Sequence, residues 1–326
     1  FLDDQGKAIT GSIAVLETVT LGGLEQRISI RGLDRKKPVL LMLHGGPGGP
    51  MIPFIKLFQT KELEANFVVV NWDQRGAGAS YSEKLTEKDM QVSNFVEDTK
   101  ELTNYLRKRF KQDKIFMLGH SWGSALGFLT IGKYPELYHA YIGANEAGDW
   151  NKRQILSYNW TLNQAKDKNI KGAILELEAV KPFDPTDMGK VAVKNKWLSE
   201  FGGFYASKEN YMNMRNYLGK GPEYSKADVQ NFMKGLGWSR KTIGTLAANS
   251  GYSLFRDLPE IDIPVYIFAG RLDFQTPSSL AKEYFDVLKA PKKGFVWFEK
   301  SAHMLPYNEP KKFGSELIKI AEETLK

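Results

Sequence analysis

Three short, nearly unbroken apolar runs constrain this chain more than any other feature. They are Pro38–Leu43 (PVLLML), Phe67–Trp72 (FVVVNW) and Lys114–Leu118 (KIFML). Runs of this length without polar alternation read as strands buried on both faces. Between the second and third, Phe95, Leu102, Leu106 and Phe110 recur at helical spacing. A helix over Ser121–Lys133 follows the third run, and Ala140–Gly143, Pro264–Ala269 (PVYIFA) and Gly294–Glu299 (GFVWFE) read as further strands. Ile13–Val19 and Gln26–Arg31 flank the turn Leu21-Gly22-Gly23 as two short strands. Pro310 opens a last helix whose apolar face is Phe313, Leu317 and Ile320. Strand–helix alternation of this kind predicts an α/β fold, a mostly parallel sheet with helices on both faces.

The pattern breaks after Trp150. Strand-like runs cease for about a hundred residues, and segments such as Lys171–Ala179 and Lys226–Leu236 read as short helices. The expected organisation is a sheet domain in two parts, 1–148 and 259–326, with a helical insertion at 149–258. Charge follows the same division. The 326 residues carry 45 Lys+Arg and 38 Asp+Glu, a formal +7. Residues 1–150 hold 18 of each sign and residues 259–326 hold 10 of each, while 151–258 hold 17 basic and 10 acidic. The excess is spread among interleaved acids without a basic cluster, so no nucleic-acid partner is expected. Zero cysteine excludes a thiolate nucleophile, a disulfide framework and Cys-ligated metal. No metal or other cofactor is expected, because no metal or nucleotide motif is present. No apolar run approaches the ~18–20 residues of a membrane span. Localisation stays open between the cytoplasm and export or anchoring through a segment upstream of Phe1. Oligomeric state is not legible.

Chemistry concentrates just past the strands. Gly119-His120-Ser121-Trp122-Gly123 matches G-x-S-x-G between a buried strand and a helix. Such a turn strains the serine backbone and projects its hydroxyl above the sheet. A serine nucleophile needs a base and a group that orients the base. Of the four histidines, His303, in the loop after Gly294–Glu299, is the one placed like a base. Asp273, just past Pro264–Ala269, lies between serine and histidine in chain order, as the orienting acid should. The oxyanion of acyl transfer needs backbone N–H donors. The loop His44-Gly45-Gly46-Pro47-Gly48-Gly49-Pro50 supplies one from Gly45 or Gly46, and Trp122 supplies the other.

Together His44-Gly45-Gly46-Pro47-Gly48, Trp72-Asp73-Gln74-Arg75-Gly76-Ala77-Gly78, the Ser121 turn, Gly270-Arg271-Leu272-Asp273 and Ser301-Ala302-His303 resemble the proline iminopeptidase-type α/β-hydrolases. The resemblance implies the α/β-hydrolase fold, eight strands with a helical cap inserted after the sixth. It implies Ser121 as nucleophile, His303 as base and Asp273 as acid, with Asp73 and Arg75 tying loops together. It also implies a serine peptidase that removes an N-terminal proline or small residue from a small-molecule or short-peptide substrate.

The cap departs from the family pattern. The family places acidic residues near a W-x-x-W-E-G-like motif to hold the substrate amine. Here the segment reads Trp197-Leu198-Ser199-Glu200-Phe201-Gly202-Gly203. Glu200, Glu146 just after the sixth strand, and Trp197 are therefore candidate substrate-binding residues. A carboxylesterase or amidase on small acyl substrates is the alternative activity, and a non-catalytic binding protein on the same fold is a further one.

Overall fold

The apolar runs become inner strands of one eight-stranded sheet. The computed structural model describes residues 1–2, 5–146 and 148–326. The strands are β1 (Ile13–Leu21), β2 (Leu24–Gly32), β3 (Val39–Leu43), β4 (Val68–Trp72), β5 (Ile115–His120), β6 (Tyr138–Ala144), β7 (Val265–Gly270) and β8 (Lys293–Phe298). Their spatial order is β1-β2-β4-β3-β5-β6-β7-β8. β1 and β2 form an antiparallel hairpin, β2 pairs antiparallel with β4, and all later pairings are parallel. The hairpin strands run longer than the sequence suggests. Gly22 and Gly23 both take positive φ, 53° and 76°, which gives the tight turn whose twist matches its strands.

β3, β4 and β5 are buried at every residue. Alternate side chains serve two cores: Leu41 and Leu43 point to one face, Leu40 and Met42 to the other. The first face packs on helices α1 (Val92–Phe110), α2 (Trp122–Lys133) and, further along, α8 (Ser278–Val287) through Leu102, Leu126 and Tyr284. The second packs on α9 (Pro310–Thr324) through Phe313, Leu317 and Ile320. Strand order reverses about β3, so the loops leaving β3 and β5 diverge and open a crevice at their C-terminal ends.

Between β6 and β7 the chain is helical: α3 (Trp150–Asp167), α4 (Lys171–Ala179), α5 (Met188–Glu200), α6 (Lys208–Tyr217) and α7 (Lys226–Ser239). α7 continues through a π-helical turn at Arg240–Gly244 into Thr245–Ser250. Its Gly235 lies so close to the sheet domain that a Cβ there would sit 2.5 Å from the Gly76 carbonyl oxygen. Tyr224, ahead of α7, hydrogen-bonds the Asp73 carboxyl.

Candidate active site

Ser121 stands between β5 and α2 with φ 55° and ψ −116°, a conformation foreign to non-glycine residues. The surroundings impose it. A Cβ on Gly119 would meet the Gly123 carbonyl oxygen at 2.1 Å, and one on Gly123 would meet that of Leu43 at 2.2 Å. The turn closes only because both positions lack side chains. The Ser121 N–H donates to Ala144 O at 2.9 Å and pins the turn to β6.

The loops after β7 and β8 bring two distant residues to this serine. His303 Nε2 lies 2.9 Å from Ser121 Oγ, and His303 Nδ1 lies 2.8 Å from Asp273 Oδ2. Facing a carboxylate, Nδ1 carries the proton, which leaves Nε2 to accept from the hydroxyl. Asp273 is fully buried. Its Oδ1 accepts from the backbone N–H groups of Gln275 and Thr276, and its Oδ2 from the Thr276 hydroxyl at 2.8 Å. Every lone-pair direction toward the protein is used, so the carboxylate cannot rotate away from the imidazole.

Asn145, at φ 50° just past β6, joins these loops. Its Nδ2 donates to the carbonyls of His303 (2.6 Å) and Ala302 (3.2 Å), and its Oδ1 accepts from Gly270 N at 2.9 Å. His120 Nε2–H also donates to the His303 carbonyl, at 2.7 Å. Sequence reasoning missed Asn145 and Thr276. Both act through contacts made across more than 100 residues and across a three-residue turn, respectively, and neither belongs to a chemical motif.

The loop after β3 lies against the serine. A Cβ on Gly45 would be 3.0 Å from Ser121 Cβ. Trp122 opens α2, where a first-turn N–H has no intrahelical acceptor. Gln74 binds the two walls together. Its N–H donates to His44 Nε2 at 3.2 Å, its Nε2 to His44 O at 3.1 Å, and its Oε1 accepts from the Trp122 indole at 3.0 Å. Arg75 makes a buried two-pronged pair with Asp98 at 2.7 and 2.6 Å.

The helical segment reaches the same loops directly. Phe274 N donates to Gly203 O at 3.0 Å, and His303 N donates to Phe204 O at 3.0 Å. Trp160 of α3 stacks on Phe274 with ring centroids 4.0 Å apart. The three residues proposed from sequence to touch substrate are dispersed. Glu146 is buried; its Oε1 accepts from Gly148 N at 3.1 Å, and a Cβ on Gly143 would sit 2.9 Å from its Oε2. Glu200 is 55% exposed, 3.6 Å from Lys208 Nζ, and is not brought to Ser121. Trp197 donates to Glu176 at 2.9 Å and packs beside Phe201 in the insertion's own core. Helix periodicity is the reason: on α5 the inward face carries Lys194 and Leu198, which are wholly buried, and Trp197 and Glu200 fall on other faces.

Burial sets the charge states around the site. It lowers His44 to about 4 and His120 to about 3, so both stay neutral, and raises Asp73 to about 7. The two histidines bind fewer protons folded than unfolded, so their stabilisation is complete above pH 6.5 and lost on acidification toward pH 4 and 3. Asp73 acts oppositely, since its folded form holds a proton up to about pH 7. Two protons against one leave a net loss of about 1.4 kcal/mol per pH unit as pH falls from 6.5 to 4. His120→Gln keeps a donor for the His303 carbonyl but does not titrate. Urea unfolding across that window should therefore show a slope near zero from these groups. An undiminished slope in the variant would sink the assignment.

A family model described as the α/β-hydrolase fold matches residues 38–310. The chain belongs to the α/β-hydrolase fold family. Within it the chain is proline iminopeptidase-like. It is 30% identical over 316 residues to the probable aminopeptidase YbaC of Bacillus subtilis, covering 96% of this chain and 98% of that protein. It is 25% identical over 300 residues to the proline iminopeptidase of Heyndrickxia coagulans, covering 88% and 92%. The crystal structure of the Mycobacterium smegmatis proline iminopeptidase superposes with a TM-score of 0.67 at 16% identity, over 95% of this chain and 98% of that one, a likeness of fold.

Proposed function

We propose that this α/β-hydrolase is a serine aminopeptidase that releases an N-terminal proline or small residue through an acyl-enzyme. The hydrogen-bonded series Ser121–His303–Asp273 on three post-strand loops carries this reading. His303 takes the hydroxyl proton as Ser121 Oγ attacks the scissile carbonyl, and Asp273 stabilises the imidazolium. The N–H groups of Gly45 or Gly46 and of Trp122 hold the oxyanion. His303 then delivers the proton to the leaving amine and activates the water that cleaves the ester.

Esterase or amidase action on small acyl compounds is the second reading. The exposure of Glu200 favours it, because one of the two candidate amine anchors then faces solvent. Proline-β-naphthylamide and short-chain p-nitrophenyl esters assayed side by side separate the two. The aminopeptidase reading expects turnover of the naphthylamide, with at least a tenfold loss in Glu146→Gln confined to free-amine substrates. Turnover of esters with rejection of every free-amine substrate would overturn it.

A further inference from the structure

Two basic side chains of the helical insertion, Lys194 and Arg153, are buried beside the Asp273 loop, and the Arg153 guanidinium lies over the Trp150 ring, 4.3 Å from its centroid. Lys194 is 0% exposed and Arg153 8%. Lys194 Nζ and Arg153 Nε have no hydrogen-bond partner among the described residues, nor do the neighbouring Ser157 Oγ and Gln154 Oε1. Both helices aim at the site. Arg153 is seven residues before Trp160 on α3, hence within about 20° of it around the helix. Trp160 is the residue that stacks on Phe274, next to Asp273. Lys194 is one turn before Leu198 on α5, and Leu198 packs on Gly203, whose carbonyl accepts from Phe274 N. The Asp273 charge acts on both groups, the Glu146 charge acts on Arg153, and Arg153 opposes a charge on Lys194. Asp273 cannot pair with them, because its oxygens are committed to Gln275, Thr276 and His303.

Burying the Lys194 amine and the Arg153 guanidinium with no hydrogen-bond partner at Nζ and Nε costs solvation that an anion bonded to both would offset. Nothing in the core chemistry of acyl transfer requires it. We propose that Arg153 and Lys194 form an anion subsite that binds the C-terminal carboxylate of a short peptide substrate. The proposal rests on the aminopeptidase reading for the word peptide, and on the buried cations alone for the carboxylate. Burial pushes the Lys194 amine well below its usual range, and a carboxylate in contact restores its proton.

The test compares prolyl-alanine with prolyl-alaninamide, which share the scissile bond and differ in the terminal charge. Wild type should favour the free acid by about 10- to 100-fold in kcat/KM, mostly through KM, as expected for a charge-assisted contact. In Lys194→Met and Arg153→Met that ratio should fall toward one, while kcat/KM for the amide stays within about threefold. Lys194→Met should melt no lower than wild type, since it removes an unpaired buried amine. Equal handling of acid and amide by wild type would overturn the subsite, as would a preference that survives in both variants. Calorimetric binding of the same two peptides to Ser121→Ala tests the subsite without any turnover. Tighter binding of the acid, abolished by adding Lys194→Met, supports the subsite even if neither peptide is cleaved, and equal binding overturns it. Failure of cleavage alone counts against the aminopeptidase reading.

Discussion

Ser121→Ala is expected to lower kcat by about 10⁴- to 10⁶-fold on any substrate the protein turns over. The magnitude follows from geometry. Oγ is the atom within 2.9 Å of His303 Nε2, and among the described residues no other hydroxyl is held there by a strained turn. Residual rate would come from the oxyanion donors and from binding. The fold should survive, because alanine fits the space of serine and the turn is held by Gly119, Gly123 and the Ser121 N–H bond to Ala144. Ser121→Gly separates strain from chemistry. It should be as inactive as alanine yet melt higher, since glycine accepts φ 55° and relieves about 1 kcal/mol. Steady-state kinetics and thermal melts on the three proteins check both. Wild-type turnover in Ser121→Ala would remove the serine mechanism, and a lower melting point for Ser121→Gly would remove the strain argument.

The second large effect is at Asp273. Asp273→Asn preserves shape but should cost about 10⁴-fold in kcat. The Gln275 and Thr276 N–H groups both donate to Oδ1, so the asparagine oxygen takes that position and its NH₂ takes the position of Oδ2. Oδ2 is where His303 Nδ1 donates. The amide then turns His303 to the tautomer with its proton on Nε2, which cannot accept from Ser121. The Thr276 hydroxyl, which donates to Oδ2 in the wild type, must reverse to accept. Kinetics should show the loss in kcat with little change in KM. Loss confined to KM would mean that Asp273 acts in binding rather than in orienting His303.

What could be read before folding was whatever follows from local rules. Buried strands announce themselves as β3, β4 and β5 did, by apolar runs without alternation, and their ends came within two residues of expectation. Ser121, Asp273 and His303 could be singled out because acyl transfer needs those residue types on post-strand loops in that order. Glu200 and Trp197 mark where local rules stop. Only their nearness to a motif singles them out, and helix phase turns both away from Ser121. Of the residues that hold the loops, Asn145 and Thr276 belong to no motif and His120 and Gln74 stand inside motifs without a role of their own there; their roles exist only through contacts such as the 2.6 Å bond from Asn145 to His303 O.

By itself, then, the amino-acid order determined that a mostly parallel sheet would form, where its loops would leave it, and which chemical groups those loops would carry. Each of these depends on short-range pattern and residue chemistry. Only the tertiary structure decided that Ser121 would reach His303 at 2.9 Å, that the insertion would be tied to the Asp273 and His303 loops through Gly203 and Phe204, and that Lys194 and Arg153 would be buried beside Asp273. Those outcomes turn on which face of a helix meets the sheet and on desolvation by residues far away in the chain. A lysine's position in the sequence does not tell whether it ends in water or in the protein interior, and for Lys194 packing alone decides that it is wholly buried.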